Sequence, residues 1–212
     1  MSPPRRTGKK ILKTLLPVAL VVLLALAGAV GWLLHSVAHP PRHAYLVTPE
    51  KFKQMSPRGV GATEERWTNP DGTMARGWLL RGGEGLPSVV LLHAYGADRS
   101  WLLNLAVKLN ETTNFTVLAP DARGHGENPP VGWTSFGAAE GEDALAAIEF
   151  VRSLRTSQNR PLTNSIIGLY GVEMGAYAAL AAGSKKDARA LVLDSVPAAP
   201  DVLLRSGVRN IT

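Results

Sequence analysis

The residues best suited to chemistry in this 212-residue chain are carboxylates and histidines set in glycine-rich stretches. Glu173 is the centre of Gly171-Val172-Glu173-Met174-Gly175. An apolar run ends just before it and a small-residue helical pattern begins just after it, so it falls at a strand-to-helix turn. There the free N–H groups and the helix dipole favour an ionised carboxylate. Gly171 and Gly175 flank it. Asp194 ends another apolar run, and His93 and His125 stand in the loops His93-Ala94-Tyr95-Gly96 and Asp121-Ala122-Arg123-Gly124-His125-Gly126. A carboxylate can serve as nucleophile or general base, and a histidine as general base. The chain has no cysteine, which removes thiolate nucleophiles, disulfides and thiolate zinc sites. No spacing points to a metal or an organic cofactor, so none is expected.

These residues need a frame, and the pattern around them supplies one. Residues 62–67 and 74–80 flank the turn sequence Asn69-Pro70-Asp71-Gly72-Thr73 and read as a hairpin. Residues 88–93, 115–119, 165–170 and 190–194 are short apolar runs of buried-strand type, while 101–110, 138–154 and 174–182 carry helical spacing. In the second helix Glu140, Glu142 and Glu149 fall on or near the polar side. A hairpin followed by strand–helix alternation predicts an α/β fold: a doubly wound, mostly parallel sheet with helices on both faces.

The segment 14–34 holds 21 residues without a charge. At about 1.5 Å per residue it spans roughly 30 Å, enough for the hydrocarbon core of a bilayer. Pro17 is expected in its first turn, and Trp32 near its far end suits an interface. Arg5, Arg6, Lys9, Lys10 and Lys13 precede it, five of the 23 basic residues; the other 18 oppose 17 acidic ones. The net charge of +6 is therefore a property of the N-terminus, and no nucleic-acid face is expected. The charge asymmetry predicts a single-pass anchor, with residues 1–13 cytoplasmic and the remainder extracytoplasmic. The alternative is a secreted protein after cleavage near Ala25-Leu26-Ala27. Residues 35–61, rich in proline and histidine, are expected to be a spacer, and 62–212 the folded domain.

Four segments, in order, resemble the α/β-hydrolase superfamily, nearest its esterase, lipase and serine-aminopeptidase branches. His93-Ala94-Tyr95-Gly96 is like the His-Gly loop after the third strand. Asp121-Ala122-Arg123-Gly124-His125-Gly126 is like the loop after the fourth. Gly171-Val172-Glu173-Met174-Gly175 is placed like the nucleophile elbow, and Leu191-Val192-Leu193-Asp194 like the sixth strand. The resemblance covers roughly residues 62–200 and implies an oxyanion hole from the N–H groups of Tyr95 and Met174. It makes Glu173 and Asp194 the candidate catalytic residues, and His93 and His125 shapers of loops.

The sequence departs from that family in three places. Glu173 replaces the serine, and Ala94 replaces the usual glycine of the His-Gly pair. No histidine follows His125, whereas the family's base lies after its eighth strand. The base and about two strands are therefore expected to lie outside this sequence, leaving the sheet open at the strand of Asp194. Glutamate is also one methylene longer than the aspartate nucleophile of some relatives, a displacement of about 1 Å that can cost about 100-fold in rate. The expectation is a membrane-anchored hydrolase-fold protein without serine-hydrolase activity, its Glu173 carboxylate folded onto the Tyr95 and Met174 N–H groups, with a small-molecule ligand possible. The alternative is an active hydrolase of esters or amides that uses Glu173, or whose base comes from residues past Thr212.

Overall fold

In a computed structural model, residues 6–55, 59, 61–185, 188–196, 198, 205 and 208 are described. The chain forms two units, Met1–Val37 and Ala38–Thr212. The first is occupied by helix α1, Arg6–Ala38, whose stretch Leu15–Ala38 is long and apolar enough to cross a membrane by length and composition. Pro17 lies inside this helix and not in its first turn, because the helix already begins at Arg6.

In the second unit a short helix, α2 (Pro49–Met55), precedes six strands: β1 (Thr63–Thr68), β2 (Met74–Leu80), β3 (Leu86–Leu92), β4 (Thr116–Pro120), β5 (Thr163–Val172) and β6 (Ala190–Asp194). They form one sheet in the order β1-β2-β4-β3-β5-β6. The β1–β2 and β2–β4 pairs are antiparallel, and β4–β3, β3–β5 and β5–β6 are parallel. Helices α3 (Leu103–Thr113), α4 (Ala138–Ser153) and α5 (Met174–Gly183) make the crossovers. This is the predicted doubly wound sheet. The hairpin turn forms as its residues dictate: Asp71 accepts the Thr73 N–H at 3.0 Å, and Gly72 takes the positive φ.

Side chains alternate across the strands, and each face has its own core. On one face Leu79, Val90, Leu118, Ile167 and Leu169 pack against Ala144, Ile148 and Val151 of α4 and Ala178 and Ala179 of α5. On the other, Trp78, Leu80, Leu91 and Val117 pack against Leu103, Ala106 and Val107 of α3. Each fully buried leucine or isoleucine contributes about 1.5–3 kcal/mol, so both faces fix the strand order that gathers the loops. Strand β6 is the exception. It is last in the order, with Val192 57% exposed, and among the described residues nothing pairs with its outer edge.

Two sequence expectations are corrected. Part of the stretch 35–61 packs on the domain instead of standing free: the Tyr45 hydroxyl donates to Asp121 at 2.6 Å, and the Leu46 N–H donates to Ser100 Oγ at 3.1 Å. Glu140 is buried and not on a polar face. Its carboxylate accepts the Ser135 and Gly137 N–H groups at 3.0 and 2.8 Å and the Thr134 hydroxyl at 2.6 Å, which closes the first turn of α4.

Candidate active site

The parallel strands β3, β4 and β5 release their loops at one end of the sheet, where side chains from distant sequence positions meet. After β5 the chain turns directly into α5 through Glu173, which has φ 51° and ψ −106°. A glutamate held at such an angle costs of order 1–3 kcal/mol and persists only where its surroundings enforce it. The enforcement is visible: the Glu173 N–H donates to the Asp194 carbonyl at 2.9 Å, and the Glu173 carbonyl accepts the Tyr177 N–H at 3.1 Å. A Cβ on Gly175 would fall on the carbonyls of Leu92 and His93, and one on Gly171 on the backbone of Gly175 and Ala176. Both glycines are thus required for β5, β3 and α5 to approach so closely.

The loop after β3 forms a tight turn closed by the Ala97 N–H on the Ala94 carbonyl at 3.2 Å, with Gly96 at φ 73°. That turn leaves the Tyr95 N–H beside the Glu173 carboxylate, where it favours the ionised form. Among the described residues no hydrogen bond joins the Met174 N–H to that carboxylate. Desolvation outweighs the Tyr95 bond and raises the pKa of Glu173. The expected preference for the ionised form is reversed in sign, because burial costs the anion more than one N–H returns.

Met174 is fully buried, with its sulfur 3.4 Å from Thr134 Oγ1, whose proton goes to Glu140. Asp194 is exposed; its carboxylate accepts the Ser195 hydroxyl at 2.9 Å and the Tyr170 hydroxyl at 3.3 Å. Asp194 thus meets Glu173 through the backbone, while its own side chain engages two hydroxyls.

The two histidines are buried and neutral in pattern. His93 places Nδ1 at 2.8 Å from the Ala94 carbonyl and accepts the Ala122 N–H at Nε2, 2.9 Å, which ties the β3 and β4 loops together. His125 places Nδ1 at 2.8 Å from the Arg123 carbonyl. Burial, with His93 adding to it, lowers its pKa to about 4. The rings of Tyr95, His125, His93 and Phe136 pack in one group, with Tyr95 stacked on Phe136 at 5.4 Å. Phe136 is a member the sequence reading missed, since nothing in its neighbourhood marks a residue at φ 58°.

Beside this group lies a cavity, open to solvent, walled by Trp67, Asn69, Arg76, His125, Pro130 and Met174 among others. Glu173 is not among its walls. Four buried polar atoms of its lining have no hydrogen-bond partner among the described residues: the donors Trp67 Nε1 and Arg76 Nε, and Asn69 Oδ1 and His125 Nε2 as acceptors. The rest of the wall is mostly apolar, and a mainly apolar wall with a few polar atoms is the usual form of a small-molecule site. No group of three or more metal-binding side chains occurs among the described residues.

The sequence also missed an anion site under the β4 loop. Asp121 accepts the Tyr45 hydroxyl and the Arg99 N–H, and lies 3.3 Å from both the Arg76 and Arg99 guanidinium groups. Arg99 donates to Tyr45 at 2.8 Å and stacks over Trp78 at 4.5 Å. A Cβ on Gly126 would strike the Asp121 carboxyl, so that glycine makes room for the acid.

Comparison with known proteins places this geometry. The alpha/beta hydrolase family matches residues 89–211. No curated protein matches the chain. Among solved structures, the esterase Pf2001 of Pyrococcus furiosus is 26% identical over 77% of this chain and 60% of its own, with a TM-score of 0.62. Hypothetical protein PA2218 of Pseudomonas aeruginosa is 27% identical over 63% of this chain and 42% of its own, with a TM-score of 0.51. The alpha/beta hydrolase GrgF of Penicillium sp. sh18 is 23% identical over 63% and 45%, with a TM-score of 0.54, and shares the fold. The chain thus spans less than two thirds of the length of these relatives. A strained elbow between β5 and α5, a β3 loop that offers it an N–H, and a family match over more than half the sequence agree: the chain belongs to the alpha/beta hydrolase family.

Proposed function

We propose that this protein is a membrane-anchored member of the family that binds a small molecule and does not perform serine-hydrolase chemistry through Glu173. The observation that carries the reading is the strained elbow with an acid, Glu173, at its centre and the Tyr95 N–H beside it, where an esterase of this fold would hold the oxygen of its substrate. An anion beside that donor competes with the oxyanion of an acyl-transfer intermediate. A carboxylate nucleophile would also need a base to release the ester it forms, and both histidines of this loop cluster are buried and bonded to backbone carbonyls. The cavity beside Met174, mostly apolar with a few buried polar atoms, supports a ligand-binding role, and the basic residues between positions 5 and 13, ahead of the apolar stretch Leu15–Ala38, support a cytoplasmic N-terminus with the domain on the other side.

Hydrolysis of p-nitrophenyl acetate and butyrate by wild type and Glu173→Ala tests this reading. Equal rates at the uncatalysed background support it. A wild-type rate above background that drops in Glu173→Ala would establish the second reading, an active hydrolase using Glu173. That reading draws on the raised pKa of Glu173, which is suited to a general base or acid.

A further inference from the structure

The loop between β4 and α4 carries apolar residues on its outer side, and the chain itself brings them to the end of α1. The Thr134 N–H donates to the carbonyl of Ala38 at 2.9 Å, and Ala38 is the last residue of the apolar helix. Trp133 is the next residue back, about 3.8 Å away along the chain. It is 44% exposed, and Pro130 of the same loop is exposed as well. One face of the Trp133 ring meets the Arg123 guanidinium at 5.3 Å, which holds the indole in place without covering it.

We infer that the loop 129–133 is a membrane-surface contact, with Trp133 seated in the headgroup layer of the bilayer. The inference rests on the reading of α1 as an anchor and deepens it. If the 20 residues from 15 to 34 cross the roughly 30 Å hydrocarbon core, residues 35–38 rise about 6 Å beyond it. The headgroup layer is about 5–8 Å thick on each side. Ala38 then lies within or at the outer limit of that layer, and a residue bonded to Ala38 lies there too. This follows from chain connectivity alone. An indole is the side chain best suited to that depth, being apolar in its body and polar at its N–H. Arg42, exposed four residues past Ala38, places a cation where lipid phosphates would meet it.

The same loop also walls the cavity, through Pro129, Pro130 and Val131.

The test uses the full chain in phosphatidylcholine vesicles with and without lipid brominated on acyl carbons near the headgroup. Resistance to alkaline extraction first establishes the anchor; a protein released at that step overturns the anchored reading, and with it the inference. For an anchored protein, Trp133→Phe is expected to remove a bromolipid-quenched component of the tryptophan emission. Unchanged quenching overturns the inference and leaves the anchor standing. Because the chain has no cysteine, Pro130→Cys and Gln158→Cys each accept a single spin label, Gln158 lying on the loop before β5 at the opposite end of the strands. The label at residue 130 is expected to be more accessible to oxygen than to a water-soluble nickel chelate, and that at 158 the reverse. Equal, water-like behaviour of the two would contradict the inference even if Trp133→Phe fails to fold.

Discussion

Asp121 and Glu173 follow β4 and β5, the strands on either side of β3, and both carboxylates lose water on folding. They are treated in opposite ways. Burial pushes the Asp121 carboxyl up, but Arg99, the Tyr45 hydroxyl, the Arg99 N–H and Arg76 all pull it back. At Glu173 burial is opposed by one group, the Tyr95 N–H. A fully surrounded anion is a structural part whose partners depend on it. A half-buried anion with one donor, on a strained backbone, is what a site looks like when it is built around something other than stability.

The sharpest way to break the comparison is to remove the surrounded acid. Asp121→Ala leaves Arg99 and Arg76 without their shared counter-charge, and is expected to cost about 3–5 kcal/mol in chemical denaturation. A loss near zero would mean that the guanidinium groups are satisfied by Glu64 and by solvent. Next in size is Tyr45→Phe, which deletes the hydroxyl between Asp121 and Arg99 and is expected to cost about 1.5–3 kcal/mol. That loss would also measure how firmly the segment after α1 is held on the domain.

The smallest effect separates the two acids by sign. Because burial raises the Glu173 pKa, the folded chain holds that proton more tightly than the unfolded chain does. Wild type therefore loses stability relative to Glu173→Gln as pH rises through and above the ordinary value of 4.5. Melting temperatures are expected to coincide below pH 4 and to favour Glu173→Gln at pH 7, by no more than about 0.5 kcal/mol at this half-exposed position. An advantage for wild type at pH 7 would place Glu173 in the same class as Asp121.

Much of this molecule was legible in the sequence, for identifiable reasons. The strands and helices announced themselves through apolar periodicity, and β2 and β6 have the bounds the pattern assigned. The elbow was legible because Gly171-Val172-Glu173-Met174-Gly175 resembles the family's nucleophile elbow, and the collisions a Cβ would meet at Gly171 and Gly175 agree with that resemblance. What stayed hidden depends on contacts far apart in sequence. Nothing near Tyr45 announces that its hydroxyl meets Asp121, 76 residues away, and nothing in the pattern of α4 shows that Glu140 turns inward to its own N-terminus. The sign of the Glu173 shift was also out of reach. Helix position and N–H donors can be read from order along the chain, whereas the desolvation that opposes them depends on how the loops close over the site.

The central claim is that Glu173 occupies its own oxyanion donor. A crystal structure of the full chain at neutral pH tests it most directly. The account predicts a Glu173 carboxylate oxygen within hydrogen-bonding distance of the Tyr95 nitrogen. A carboxylate swung out to solvent, with a water molecule bonded to the Tyr95 N–H in its place, would contradict it.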